Sequence, residues 1–381
     1  MMNAYAAIWF CLVLTILNAL SIGISALRAR ARREFLPPPP SGPGVTIIRP
    51  VCGIDNFCKE SLETSFRLDY PFYELIFCVS SASDPVLPLV QCLIARYPER
   101  SARMVIGDEN ASRNPKLNDC ARGWDLARHH WLILADSNVL MPKDSIQRLL
   151  ASWRRRTGLV TSMPLGSRPQ NLWAELECAF LNTFGARWQY CAEALGLGFA
   201  QGRLTLWRRE IVEKCGGIRA LRDGITEGAA AAKLVCAQGL RITLAESPFE
   251  QPLGIRSAAE VWRRQTRWAR TRRKTFPLLY LPEIFAGAAL PALTAAYAAS
   301  QLEVNTAAVL IGVALAWYVP EALLAAALGC HISWRMPLFF ALRDLMLPFL
   351  YADAWLVRDF VEPRGEMPMS MKRAEPGLER G

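Results

Sequence analysis

The chain has 381 residues, 52% of them hydrophobic, and 44 Lys plus Arg against 34 Asp plus Glu for a formal charge of +10. That is too apolar for a disordered protein and too long for a disulfide-stapled miniprotein. Eleven cysteines, an odd count with no C-x-x-C pair, and only three histidines (His129, His130, His331) leave little material for zinc sites, Cys-His pairs or a Ser-His-Asp triad. The thiols read as reduced and mostly buried.

Taken in chain order, residues 4–27 form 24 uncharged residues, more than the ~20 needed to cross a ~30 Å hydrocarbon layer. They predict an N-terminal transmembrane helix. A secretory signal peptide is the competing reading, but the cluster Arg28, Arg30, Arg32 and Arg33 comes after the apolar run instead of preceding it. By the positive-inside rule these arginines place the adjoining module in the cytoplasm. Residues 28–44 then form a basic, proline-rich linker that acts as a stiff spacer.

Residues 45–257 read as a water-facing module. Short β-rich runs at 45–48, 75–80, 103–106, 132–135 and 159–163 alternate with helical stretches such as 57–66, 87–97 and 145–154. Strands separated by helices predict an α/β fold with a largely parallel sheet. In such sheets ligands bind beyond the carboxyl ends of the strands, so the residues directly after each run carry the chemistry. Asp84-Pro85 and Asp136-Ser137-Asn138 each place a carboxylate there. Such a group can receive a base or ribose, or hold a hard divalent cation; the plainer alternatives are a turn starter and a helix cap. Between them Asn114-Pro115-Lys116-Leu117-Asn118-Asp119 reads as a polar loop entering a helix over 119–127, where a lysine and a helix N-terminus together attract phosphate.

Residues 258–275 carry Trp262-Arg263-Arg264-Gln265-Thr266-Arg267-Trp268, with seven basic residues between Arg263 and Lys274. At helical spacing Arg264, Arg267 and Trp268 share one face, so one ligand can meet two guanidiniums and an indole. The same basic amphipathic helix suits anionic headgroups at a membrane interface. Beyond it, 276–300 and 304–329 are apolar stretches of spanning length joined by a loop without Lys or Arg. The last stretch, 336–357, is interrupted by Arg343 and Asp344. It reads as an interfacial or re-entrant segment, with a full span facing a paired Arg-Asp inward as the alternative. Thus 276–357 is a C-terminal membrane region, and 358–381 is a polar tail.

The ordered set Asp84-Pro85, Asn114-Pro115-Lys116-x-Asn118, Asp136-Ser137, Gly198-Phe199-Ala200-Gln201-Gly202 and Arg264-x-x-Arg267-Trp268, framed by membrane segments, resembles the lipid-directed inverting glycosyltransferases of the GT-A fold. It is most similar to the ceramide glucosyltransferase family, with hopanoid-directed enzymes as close relatives. The resemblance implies a Rossmann-like domain in which Asp84 recognises uridine, Lys116, Asn118, Gln201 and Gly202 line the nucleotide pocket, and Asp136 binds Mg²⁺ or Mn²⁺. It also implies UDP-glucose or a similar nucleotide sugar as donor, ceramide or a similar membrane lipid as acceptor, and an integral membrane location with the catalytic domain cytoplasmic. Arg264, Arg267 and Trp268 would close over the diphosphate and sugar. Where the family carries a Glu-Asp pair, this chain reads Glu227-Gly228; Glu227 is then the expected substitute base, and a catalytically impaired scaffold is the alternative. Nucleic-acid binding is disfavoured, because the basic residues gather at membrane edges rather than among stacking aromatics. The oligomeric state is not legible.

Overall fold

The computed structural model describes residues 2–29, 37, 39, 41–107, 115–201, 203–223 and 227–357. The described residues divide into two compact units: a helical unit of residues 2–29, 165–195 and 253–357, and a sheet unit within residues 37–164 and 196–252.

The strands are β1 (Val45–Pro50), β2 (Tyr73–Val79), β3 (Ser101–Ile106), β4 (Trp131–Ala135), β5 (Thr157–Thr161), β6 (Pro164–Pro169), β7 (Leu204–Arg208), β8 (Arg241–Leu244) and β9 (Phe249–Gly254). Seven of them form one sheet in the order β3-β2-β1-β4-β7-β5-β8, while β6 and β9 pair as a separate ribbon. β1 runs parallel to both β2 and β4, β2 to β3, and β5 to β8; β7 is antiparallel to both its neighbours. Every residue of β1, β2 and β5 is buried, as expected for strands covered on both faces. This is why the apolar runs betrayed them. The main core gathers Ile47, Leu75, Phe77, Ile133 and Leu206 from the sheet with Leu62, Phe66, Val90 and Leu149 from the helices.

Two features place the candidate site residues. The strand order reverses between β1 and β4, creating the crevice at carboxyl ends where open α/β sheets hold ligands. The helix Pro115–Leu126 packs on β1 and β2 beside this crevice. A Cβ on Gly123 would stand 2.5 Å from Ile48 Cγ2 and 2.9 Å from Cys78 Sγ, so only glycine lets the helix approach this closely. That helix also corrects the expected boundary: residues 115–118 are its first turn, not a loop. Proline at the first helical position, where its missing N–H costs nothing, explains the early start.

In the helical unit, three stretches are long and apolar enough to cross a membrane: Asn3–Arg28, Pro277–Gln301 and Thr306–Leu328. The second is broken, with a short helix Pro277–Tyr280, a 3₁₀ segment Leu281–Phe285 and then Ala289–Gln301. At the break a Cβ on Gly287 would meet Leu347 at 2.9 Å. Asp344 satisfies the interrupted backbone by accepting from the Ala288 amide at 2.8 Å. Residues Met336–Leu356 form one helix that carries Arg343 and Asp344 inward and buried. Arg343 bonds Asp344 at 2.7 Å and Glu321 at 2.8 Å; Glu321 in turn takes Arg187 at 2.6 Å. Two cations thus meet two anions, which is how charge is tolerated inside an apolar bundle.

Candidate active site

The sheet unit builds its polar site where β4 ends. Asp136 follows Ala135, and its backbone N–H donates to the Arg203 carbonyl at 2.9 Å. Its carboxylate is gripped by the Lys116 ammonium on one oxygen, with the Arg203 guanidinium 3.7 Å from the other. These three groups are partly exposed, with side-chain exposures of 30% for Lys116, 17% for Asp136 and 12% for Arg203. Two cations converge on one carboxylate, an excess of positive charge suited to a phosphate-bearing ligand.

Arg49, fully buried at the end of β1, holds this loop from beneath. Its Nη2 donates to the carbonyls of Asp136 at 2.6 Å and Val139 at 2.9 Å, and its Nη1 to Ser61 O at 2.8 Å. Burial pulls its pKa down to about 10, still protonated at neutral pH. Sequence reasoning passed over Arg49, although a single charge within the apolar run Val45–Pro50 was a legible signal. Arg203 was also missed; it directly follows the glycine-rich motif 198–202.

Asp84 is buried at the end of the β2 loop and ties that loop to the one after β1. Its carboxylate accepts from the Gly53 amide at 3.0 and 3.1 Å and from the Val86 amide at 2.9 Å. Beside it the Cys52 thiol is pushed up to about 11 by burial and by the Asp84 charge. Asn118 is buried in the first turn of its helix, and Gln201 is half-buried. Asp119, next to Asn118, accepts from Ser80 Oγ at 2.9 Å and from Arg122 at 2.9 Å, fastening this helix to the β2 end. Gly202 lies outside the described residues, as does the side chain of Glu227; the latter residue opens the helix Glu227–Ala237.

Among the described residues no group of three or more His, Cys, Asp or Glu is arranged to hold a metal. The oxygens present nevertheless suit a hard cation that draws its remaining ligands from a diphosphate. Asp136 supplies a carboxylate, and two residues on, the Oδ1 of Asn138 is buried without a hydrogen-bond partner.

In the helical unit the basic helix Ala258–Thr275 begins with a capping box between Ser257 and Glu260, which fixes its first turn. Arg264 is buried and points at Glu177, Nε to Oε1 2.8 Å; Arg256 reaches the other Glu177 oxygen at 3.6 Å. The Arg264 guanidinium also lies 5.9 Å from the Trp268 ring centroid, and Trp268 packs against Ala174, Cys178, Leu181 and Leu253. Arg267 is half-buried on the same helix. Arg264 and Trp268 are therefore brought together, with Arg264 anchored to an acid 87 residues earlier that no sequence spacing announced. Glu177 is wholly buried, and its role in setting this motif is purely tertiary.

The family model for glycosyl transferase family 21 matches residues 12–369. The chain belongs to glycosyl transferase family 21. It is 25% identical over 354 residues to ceramide glucosyltransferase 3 of Caenorhabditis elegans, covering 91% of this chain and 76% of that one. Ceramide glucosyltransferase 1 of the same organism is 24% identical over 363 residues, covering 93% and 74%. A ceramide glucosyltransferase of Komagataella phaffii reaches 34% identity over 154 residues, 39% of this chain and 30% of that protein. Among solved structures, the mannosyltransferase PcManGT of Pyrobaculum calidifontis, in complex with GDP-Man and Mn²⁺, superposes with a TM-score of 0.51 at 18% identity, covering 88% of this chain and 98% of that one. The likeness shows the glycosyltransferase GT-A fold expected from the motifs.

Proposed function

We propose that this family 21 glycosyltransferase is a membrane-embedded inverting enzyme that transfers glucose from UDP-glucose to the primary hydroxyl of ceramide, with its sheet unit on the cytoplasmic side. The observation that carries the reading is the convergence of Lys116 and Arg203 on Asp136 at the strand-reversal crevice. It is supported by relatives named as ceramide glucosyltransferases and by three helices of spanning length.

In this reading Lys116 and Arg203 neutralise the departing diphosphate as negative charge builds on it, the role in which preorganised cations lower a barrier most. Asp136 and the Asn138 carbonyl would hold the divalent cation, which when bound offsets further diphosphate charge. Arg49 keeps the 136–139 loop in place beneath them. Asp84 holds the loop after β1 through Gly53 and retains lone pairs for a uracil N–H. Asn118, Gln201 and Gly202 complete the nucleotide pocket. Glu227 removes the proton from the acceptor hydroxyl in place of the aspartate that Gly228 replaces. In the helical unit Arg264, bound to Glu177, sets the orientation of the helix face that carries Arg267 and Trp268, the motif residues to which the reading assigns a part in catalysis.

The test is to incubate purified full-length protein in lipid nanodiscs with radiolabelled UDP-glucose, ceramide and Mn²⁺ or Mg²⁺, then extract the lipids. Labelled glucosylceramide is expected. Saturable UDP-glucose binding with no labelled lipid from any hydroxyl-bearing acceptor would overturn the proposal in favour of a binding-only homologue.

A further inference from the structure

The helical unit contains a groove of about 380 Å³ lined only by apolar side chains. Trp173 and Leu176 come from the helix Leu172–Ala179, Ala258, Ala259 and Trp262 from the basic helix, and Met346 from the helix Met336–Leu356. Leu176 is buried and forms its floor, whereas Trp173 and Trp262 are 41% and 40% exposed and form its rim. Apart from the two indole N–H groups its side chains offer a nucleotide or a sugar nothing to hydrogen-bond, and its size lies at the lower end of the ~300–1,000 Å³ typical of small-molecule sites.

We infer that this groove holds one alkyl chain of the acceptor lipid and so feeds the acceptor hydroxyl to the Arg264-x-x-Arg267-Trp268 face; the inference rests on the proposed lipid-directed reaction. Three observations select that occupant. First, paired half-exposed tryptophans are the side chains that settle at the membrane–water interface, where one end of each ring is wet and the other apolar. Second, the helix that forms one wall carries seven basic residues from Arg263 to Lys274, a charge that draws the groove mouth against anionic headgroups. Third, the groove and the motif lie on one helix: from Ala259 to Arg267 is eight residues, about 12 Å at 1.5 Å per residue. A chain lying in the groove with its polar end toward the helix C-terminus brings that end within about two turns of the motif. The capping box at Ser257 keeps Ala258 and Ala259 in a fixed first turn, and both alanines are at least partly exposed. Their small size is what leaves the groove open.

Exposure also makes Ala259→Trp a safe obstruction, since the new ring fills the groove without entering the core. The experiment measures kcat/KM in nanodiscs for ceramides with long and with short acyl chains, in wild type and Ala259→Trp. The preference for long over short chains is expected to fall at least tenfold in the variant; a ratio unchanged within twofold would overturn the inference. As a second measurement, a ceramide carrying a diazirine in its acyl chain is photolysed with wild-type protein. Labelled peptides should contain Trp173 or Met346, with labelling competed by unlabelled ceramide and lost in Ala259→Trp. Labelling confined to other helices overturns the assignment. If label enters the groove but no ceramide is ever glucosylated, the proposed reaction fails while the lipid site stands; glucosylation without groove labelling sinks the site alone.

Discussion

The two units use charge in opposite ways. In the sheet unit Lys116, Asp136 and Arg203 gather at a strand end, partly exposed and with more positive than negative charge. In the helical unit Arg187, Glu321, Arg343 and Asp344 are buried to 1% exposure or less and balance one another. An unbalanced cluster at a rim is poised for a ligand that brings the missing charge. A balanced cluster in the interior has nothing left to offer a ligand and acts as a tie among helices. The Arg264–Glu177 pair stands between these cases: it is buried like the tie, yet adjoins Trp268 of the motif proposed to take part in catalysis.

This contrast can be broken by substitution. The largest effect is expected at Glu227, where Glu227→Gln should lower turnover by about 10²–10⁴-fold, the range for a general base, with UDP-glucose binding retained in a calorimetric titration. Near-normal turnover would remove Glu227 from the mechanism. Next, Glu321→Ala strands Arg187 and Arg343 without their shared acid and should cost the fold about 3–5 kcal/mol, as broken buried pairs do. Thermal unfolding in nanodiscs checks this, and a loss under about 1 kcal/mol would show that the network is not a tie. At the rim, Lys116→Met should reduce kcat by about 10²–10³-fold, as loss of one preorganised charge-stabilising group does, while leaving the unfolding temperature near wild type. A large stability loss there would erase the distinction between the two kinds of cluster. The smallest effect is expected at the exposed Arg219–Asp125 pair, 2.6 Å apart with side chains 38% and 50% exposed. Arg219→Ala should change stability by no more than about 1 kcal/mol, since water screens such pairs.

Much of the fold was legible because burial on both faces favours unbroken apolar runs such as Leu75–Val79 within β2. β7 was not read as a strand: Leu204–Arg208 is short and ends in an arginine, and its antiparallel insertion between β4 and β5 depends on partners far away in the chain. The Pro115 helix start had a local signal that was given too little weight against the polarity of its neighbours. Lys116 and Asp136 were each legible as candidates, but not as partners. Arg49 and Arg203 became candidates only when the strands were laid side by side.

The sequence by itself determined the apolar stretches of spanning length, the alternating α/β pattern and the family motifs, because hydrophobic run length, periodicity and residue order are local properties of a chain. Only the tertiary structure decided which charges face one another. Glu177 holds Arg264 across 87 residues, and Lys116 reaches Asp136 across 20, since electrostatic pairing depends on distance in space and on burial, neither of which is written in the spacing of residues along the chain.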